Sequence, residues 1–157
     1  MIAVVSPAKS LDYETPVPAS STPSVPRLAK EAHTLAEGAA SLGAEKLGTL
    51  MHISPKLAEL NAARFRDFAE APERPAIHAF AGDVYTGLEV TTLDAAAIDF
   101  AQDHLRILSG LYGLLRPLDA MRPYRLEMGT RWAPGSAKTL YDWWQGRIAE
   151  LLAEDVA

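Results

Sequence analysis

Cysteine is absent from this 157-residue chain, which rules out a disulfide framework, a thiolate nucleophile and a cysteine-ligated metal. Long apolar runs are absent too. No stretch approaches the ~20 apolar residues of a membrane span, and Met1 to Val5 lacks both the basic start and the apolar length of a secretion leader. The expected setting is the cytoplasm, without a membrane partner. Positive charge is scarce: 15 Lys and Arg stand against 20 Asp and Glu, and a net charge of −5 excludes the coating of nucleic acid by bulk charge. Metal-ligand spacing is missing as well. His33, His52, His78 and His104 fit no H-E-x-x-H or related pattern, so no metal or other cofactor is expected.

What the chain does contain is an ordinary globular composition, 48% hydrophobic and 22% charged, enough for one domain over 1–157 with its own core. Its basic charge is unevenly placed. Between Arg106 and Lys138, six basic residues (Arg106, Arg116, Arg122, Arg125, Arg131, Lys138) stand against Asp119 and Glu127, and Gly110, Gly113 and Gly129 fall in the same stretch. Leu105–Gly129 therefore reads as a local anion site, the alternative being a solvated basic face that pairs with the acidic remainder. Arg116, Arg122, Arg125 and Arg131 can each hold a phosphate or carboxylate bidentately, with Tyr112, Tyr124 and Trp132 among them as stacking surfaces.

Along the chain, Ile2–Val5 reads as a buried strand leading into Ser6-Pro7-Ala8-Lys9. The Pro/Ser/Thr-rich segment 10–26 reads as a long loop. The spacing of Leu28, Ala32, Leu35 and Ala39 predicts a helix that stops at Gly43, with a short second helix over 45–51. Ser54 as N-cap with Pro55 behind it opens a third, whose apolar side is Leu57, Leu60, Phe65 and Phe68 and whose inward arc includes Asn61 and Arg64. Ala76–Phe80 reads as a strand followed by the glycine-bracketed turn Gly82–Gly87. Asp94 caps a helix to about His104, and Leu105–Leu108 is a third strand, followed by the turn Ser109–Gly113. Tyr124–Met128 reads as extended, and Thr139 opens one last helix. This alternation predicts an α+β or α/β fold: a mixed sheet with a mostly parallel part, its strand-end loops SPAK, GDVYTG and SGLYG forming one basic crevice.

Ser6 and Lys9 have the S-x-x-K spacing in which a lysine helps to deprotonate a serine, but the partner motifs S-D-N and K-T-G are absent. Two readings stay open for them: an anion site at a strand end, or a capped turn with a solvated lysine. Gly82–Gly87 and Gly110–Gly113 fit neither G-x-G-x-x-G nor the Walker pattern. Asn61 and Arg64, polar on an inward arc, need partners, whether a ligand or groups inside the fold.

Long segments of this chain resemble the YaaA peroxide-stress family: SPAKSLDYETP, LMHISPKLAELNAARF, AFAGDVYTGL, FAQDHLRILSGLYGLLRPLDAMRPYRLEMGT and LYDWW. The resemblance implies a cytosolic bacterial protein of mixed α and β structure that helps cells survive hydrogen peroxide. It also implies binding of double-stranded DNA through a basic cleft and a helix-hairpin-helix element, for which Ser109–Gly113 with its flanks is the candidate. Ser6, Lys9, Asn61, Arg64, Asp83, Tyr85, Gly110, Tyr112, Gly113, Arg116, Arg122, Tyr124 and Arg125 stand in matching segments and form the expected anion- or DNA-binding set. Family members usually continue beyond this length with a lysine-rich part, so the chain is read as the N-terminal portion of such a protein. A second reading is an enzyme or binder of a nucleotide or other phosphorylated metabolite in the crevice, with Lys9, Arg64 and the later arginines as clamps and Asp83 or Tyr85 as acid/base groups.

Overall fold

The apolar N-terminal run does form a strand, β1 (Ala3–Val5), though with Ala3 and Val4 exposed and not buried, in a computed structural model that describes residues 1–19 and 21–157. Ser20, inside the expected loop 10–26, lies outside the described residues. A two-residue strand β2 (Ser10–Leu11) follows, and the chain then enters α1 (Ala29–Met51) and α2 (Pro55–Arg66). Next come β3 (Arg74–Pro75), α3 (Ala76–Ala79), β4 (Phe80–Ala81), α4 (Asp83–Leu88) and α5 (Ala95–His104). The remainder is β5 (Leu105–Ser109), β6 (Gly113–Leu115), β7 (Ala120–Met121), α6 (Leu140–Trp144) and α7 (Arg147–Val156). No helix among the described residues is long and apolar enough to cross a membrane.

The architecture is α+β. The main sheet has the order β1-β5-β6, with β1 parallel to β5 and β6 returning antiparallel, so its parallel part is one pair of strands. β2 pairs with β4 and β3 with β7, both antiparallel. The core packs α1, the β5–β6 hairpin and α6 together: Leu35, Leu47, Ile107, Leu111, Leu115, Met121, Leu140 and Trp144 are all fully buried, each worth about 2 kcal/mol of apolar transfer.

Local signals set three of the helix starts. Ser54 Oγ accepts from Leu57 N, Asp94 Oδ1 from Ala97 N at 2.8 Å, and Thr139 Oγ1 from Asp142 N at 3.1 Å, so the three predicted caps are made. The expected stop at Gly43 is a break inside α1, where that residue alone leaves helical geometry (φ 80°).

Four expectations need correction. Residues 76–80 are not one strand: Ala76 N and Ile77 N donate to Asp119 O and Pro117 O, and a single buried helical turn, α3, satisfies the segment before Phe80 enters β4. A run buried on all sides has the same pattern in either conformation. Gly82–Gly87 is not a turn but the start of α4, entered through Gly82 at φ 140°. The last helix is two, divided where Gln145 takes φ 48°. On α2, Ala58, Asn61 and Phe65 are buried while Leu57 and Leu60 are exposed, so the inward face is rotated from the predicted one yet still contains Asn61.

Candidate functional site

Four tyrosines from distant segments meet near the carboxyl ends of β1 and β5. Tyr85, on α4, donates to Ser6 O at 2.7 Å and so fastens GDVYTG onto SPAK. Tyr124 OH lies 2.6 Å from Ser109 Oγ, which also accepts from Tyr112 N and braces the hairpin turn. Tyr112 OH accepts from Arg122 N, and Tyr13 OH donates to Met121 O at 2.6 Å. Rings of Tyr112 and Tyr124 meet edge to face at 5.9 Å, and Phe80 stacks on Tyr85 at 5.4 Å. Burial pushes the Tyr13, Tyr85 and Tyr124 phenols well above their ordinary range and Tyr112 up to about 12. They stay protonated at neutral pH, and Tyr85 commits its proton to the Ser6 carbonyl.

The glycines in this region serve close packing. A Cβ on Gly110 would stand 2.1 Å from Leu126 O, and Gly113, at φ 73°, abuts Leu28 and Trp144. Gly110 O accepts from Trp144 Nε1 at 3.0 Å. Because β5 and β6 flank this turn, Ser109–Gly113 joins two strands and is not the helix-hairpin-helix.

The basic stretch does not act as one patch. Arg106 donates to Asp155 at 2.7 Å and Arg116 pairs with the fully buried Asp119 while donating to Val25 O. Arg122 reaches Glu73 at 2.8 Å and lies over the Phe68 ring. Each therefore meets a partner from elsewhere in the chain. Lys9 and Arg125 share Glu127, at 3.4 and 3.8 Å, and Arg131 is exposed. Lys9 Nζ thus engages a carboxylate, and no hydrogen bond joins it to Ser6 among the described residues. Asp83 is exposed in the first turn of α4.

Asn61 is 1% exposed. Its Nδ2 donates to Leu57 O, and its Oδ1 is buried with no donor among the described residues. Arg64, one turn on, is half-buried, and desolvation lowers the pKa of its guanidinium.

A family model described as "Peroxide stress protein YaaA" matches residues 1–157. The chain belongs to the YaaA family. It is 61% identical to a UPF0246 protein of Rhizorhabdus wittichii over 99% of this chain and 61% of that protein. The corresponding protein of Idiomarina loihiensis is 53% identical over 100% of this chain and 62% of its own length, and one from Jannaschia sp. is 55% identical over 97% and 58%. The chain spans about three fifths of the length of the curated relatives it matches.

Within this YaaA chain the residues missed from sequence are Asp12, Tyr13, Arg74 and Glu127. Tyr13 and Asp12 lie in the Pro/Ser/Thr-rich segment, whose composition masks them. The one signal was an aromatic inside SLDYETP. Asp12 Oδ1 accepts from Glu14 N and Thr15 N, and these hydrogen bonds with Thr15 hold its carboxyl well below the usual range. Arg74, itself buried, donates to His78 O and lies 4.0 Å from Asp12.

Proposed function

We propose that this YaaA chain serves the peroxide-stress response by holding duplex DNA through its phosphates, in the cleft between the α1–α2 turn and the segment Arg125–Arg131. One observation carries the reading. An open cleft of about 430 Å³ has Thr49, Met51 and His52 on one side and Arg125, Thr130 and Arg131 on the other. Arg125 and Arg131 line it with a single carboxylate, Glu127, which Arg125 shares with a third cation, Lys9. Elsewhere in the basic stretch Arg106, Arg116 and Arg122 are answered by Asp155, Asp119 and Glu73. We assign the family's helix-hairpin-helix to the turn at 52–54, where among the described residues three residues join the two longest helices.

Neutralising phosphates releases counterions, so binding should weaken steeply with salt. The test is fluorescence anisotropy with a labelled duplex. The expected result is an affinity that collapses between ~50 and ~200 mM salt. The double variant R125Q/R131Q should weaken binding about tenfold and lower the salt slope by about 2. Unchanged binding by that variant removes the cleft. No binding at low salt, with the longer Rhizorhabdus wittichii relative as a positive control, removes DNA for this chain.

A further inference from the structure

Among the described residues, every partly or fully buried arginine but one has a hydrogen-bond acceptor or a carboxylate within ion-pair distance. Arg27 and Arg106 share Asp155, Arg74 holds His78 O, Arg116 holds Asp119, Arg122 holds Glu73, Arg125 leans on Glu127, and Arg147 donates to Trp143 O. Arg64 is the exception: among the described residues it makes no hydrogen bond and meets no carboxylate within ion-pair distance. Even partial desolvation of a guanidinium without a counter-charge is unfavourable, and Arg64 is half-buried, its nitrogens still within reach of a ligand from solvent.

What lies beside Arg64 is empty space. A recess of about 440 Å³, within the range of small-ligand sites, is walled by Arg64, Tyr13, Leu11, Pro72 and Pro123. Leu11, Pro72, Pro123 and the Tyr13 ring give it an apolar side beside Arg64, and two acids, which differ, complete the lining. Asp12 is occupied by its own turn and by Arg74, whereas Glu14 is exposed at the rim without an ion-pair partner among the described residues. No residue lines both this recess and the Arg125–Arg131 cleft.

We propose that the recess binds a small organic oxyanion, a carboxylate or phosphate carried on a flat or apolar body, with the head group on the Arg64 guanidinium and the body against Tyr13, Pro72 and Pro123. The planar fork of Arg64 suits a two-oxygen head group. The apolar walls favour a ligand with a body over bare phosphate. Two earlier expectations thereby separate: Arg64 belongs to a small-molecule site, and the later arginines do not clamp the same ligand.

The test is titration of the folded chain with three probes, adenosine monophosphate, benzoate and inorganic phosphate, read by the NMR resonance of the Arg64 side-chain Nε–Hε and by calorimetry. Saturable binding of adenosine monophosphate or benzoate, tighter than that of inorganic phosphate, is expected, and which of the two is tighter distinguishes phosphate from carboxylate ligands. R64Q should lower the affinity at least about tenfold, the loss of a bidentate charged pair, while R131Q leaves it unchanged. E14Q changes only an exposed rim charge and should tighten binding about twofold at low salt by removing repulsion. The proposal is overturned by no saturable binding of either organic anion up to ~10 mM, by equal affinity in R64Q, or by an E14Q variant that binds more weakly.

Discussion

Arg106 is buried and Arg64 half-buried, and the two have opposite surroundings. Arg106, 6% exposed, donates through Nε to Asp155 and through Nη1 to two backbone carbonyls, Gln102 O and Leu105 O. Asp155 in turn takes two hydrogen bonds from Arg27, at 2.7 and 2.9 Å. Arg64, at the end of α2, has none of this. The first charge is fully answered by the fold and ties α7 to β5 and to the entry of α1. The second is left for something the chain does not contain. Paired burial marks architecture and unpaired burial marks a site, and the two seams can be made to disagree experimentally.

The largest effect should follow from D155A. It strands two partly buried guanidinium groups at once, so we expect a loss of about 3–4 kcal/mol in urea denaturation. That corresponds to a fall of roughly 10 °C in Tm. The same carboxylate supplies a pH signature. Hydrogen bonds from Arg27 hold Asp155 down at about 2, below its usual 3.8. A depressed folded pKa contributes stability that is complete above the unfolded value and is lost as pH falls through the folded one. Stability should therefore decline between pH ~4 and ~2 in the native chain and more weakly in D155N. Equal acid sensitivity in the two would show that the α7 seam is not held by this ion pair.

Why this seam could not be read from sequence is a matter of distance along the chain. Ser54, Asp94 and Thr139 announce their caps because each bonds to an amide three residues on. Gly43 announces a break for an equally local reason. Arg106 meets Asp155 and Arg122 meets Glu73 across 49 residues each, and nothing in a run of basic residues says which carboxylate will arrive. The stretch Leu105–Gly129 thus looked like one anion site when its charges are answered separately. Helical periodicity did bring Asn61 and Arg64 inward, since a face is a local property. It misplaced Leu57 and Leu60 because the contact with α1 favours the small Ala58 over larger neighbours.

Next in size is G110A. The added methyl would meet the Leu126 carbonyl and force the hairpin turn away from it, an overpacking cost of about 2–3 kcal/mol. Chemical denaturation measures it, and a change under ~0.5 kcal/mol would mean the turn is free to move. Smaller again is Y124F, which deprives Ser109 Oγ of its phenol partner in a fully buried pair. About 1 kcal/mol is expected, read from the shift in the urea midpoint.

The smallest effect is the most informative, because it belongs to the other seam. If Arg64 were a structural residue, R64Q would cost as much as breaking any buried charged pair, about 3 kcal/mol or more. Since its guanidinium is desolvated without a partner among the described residues, removing the charge takes away a penalty along with the apolar contacts of the side chain. The two nearly cancel, and R64Q should leave stability within ~0.5 kcal/mol of the native chain or raise it slightly. R106Q, a substitution of the same chemistry on a paired arginine, should destabilise by about 3 kcal/mol in the same urea series. Equal losses in the two variants would mean that the fold itself answers the charge on Arg64, and the contrast between the seams would collapse.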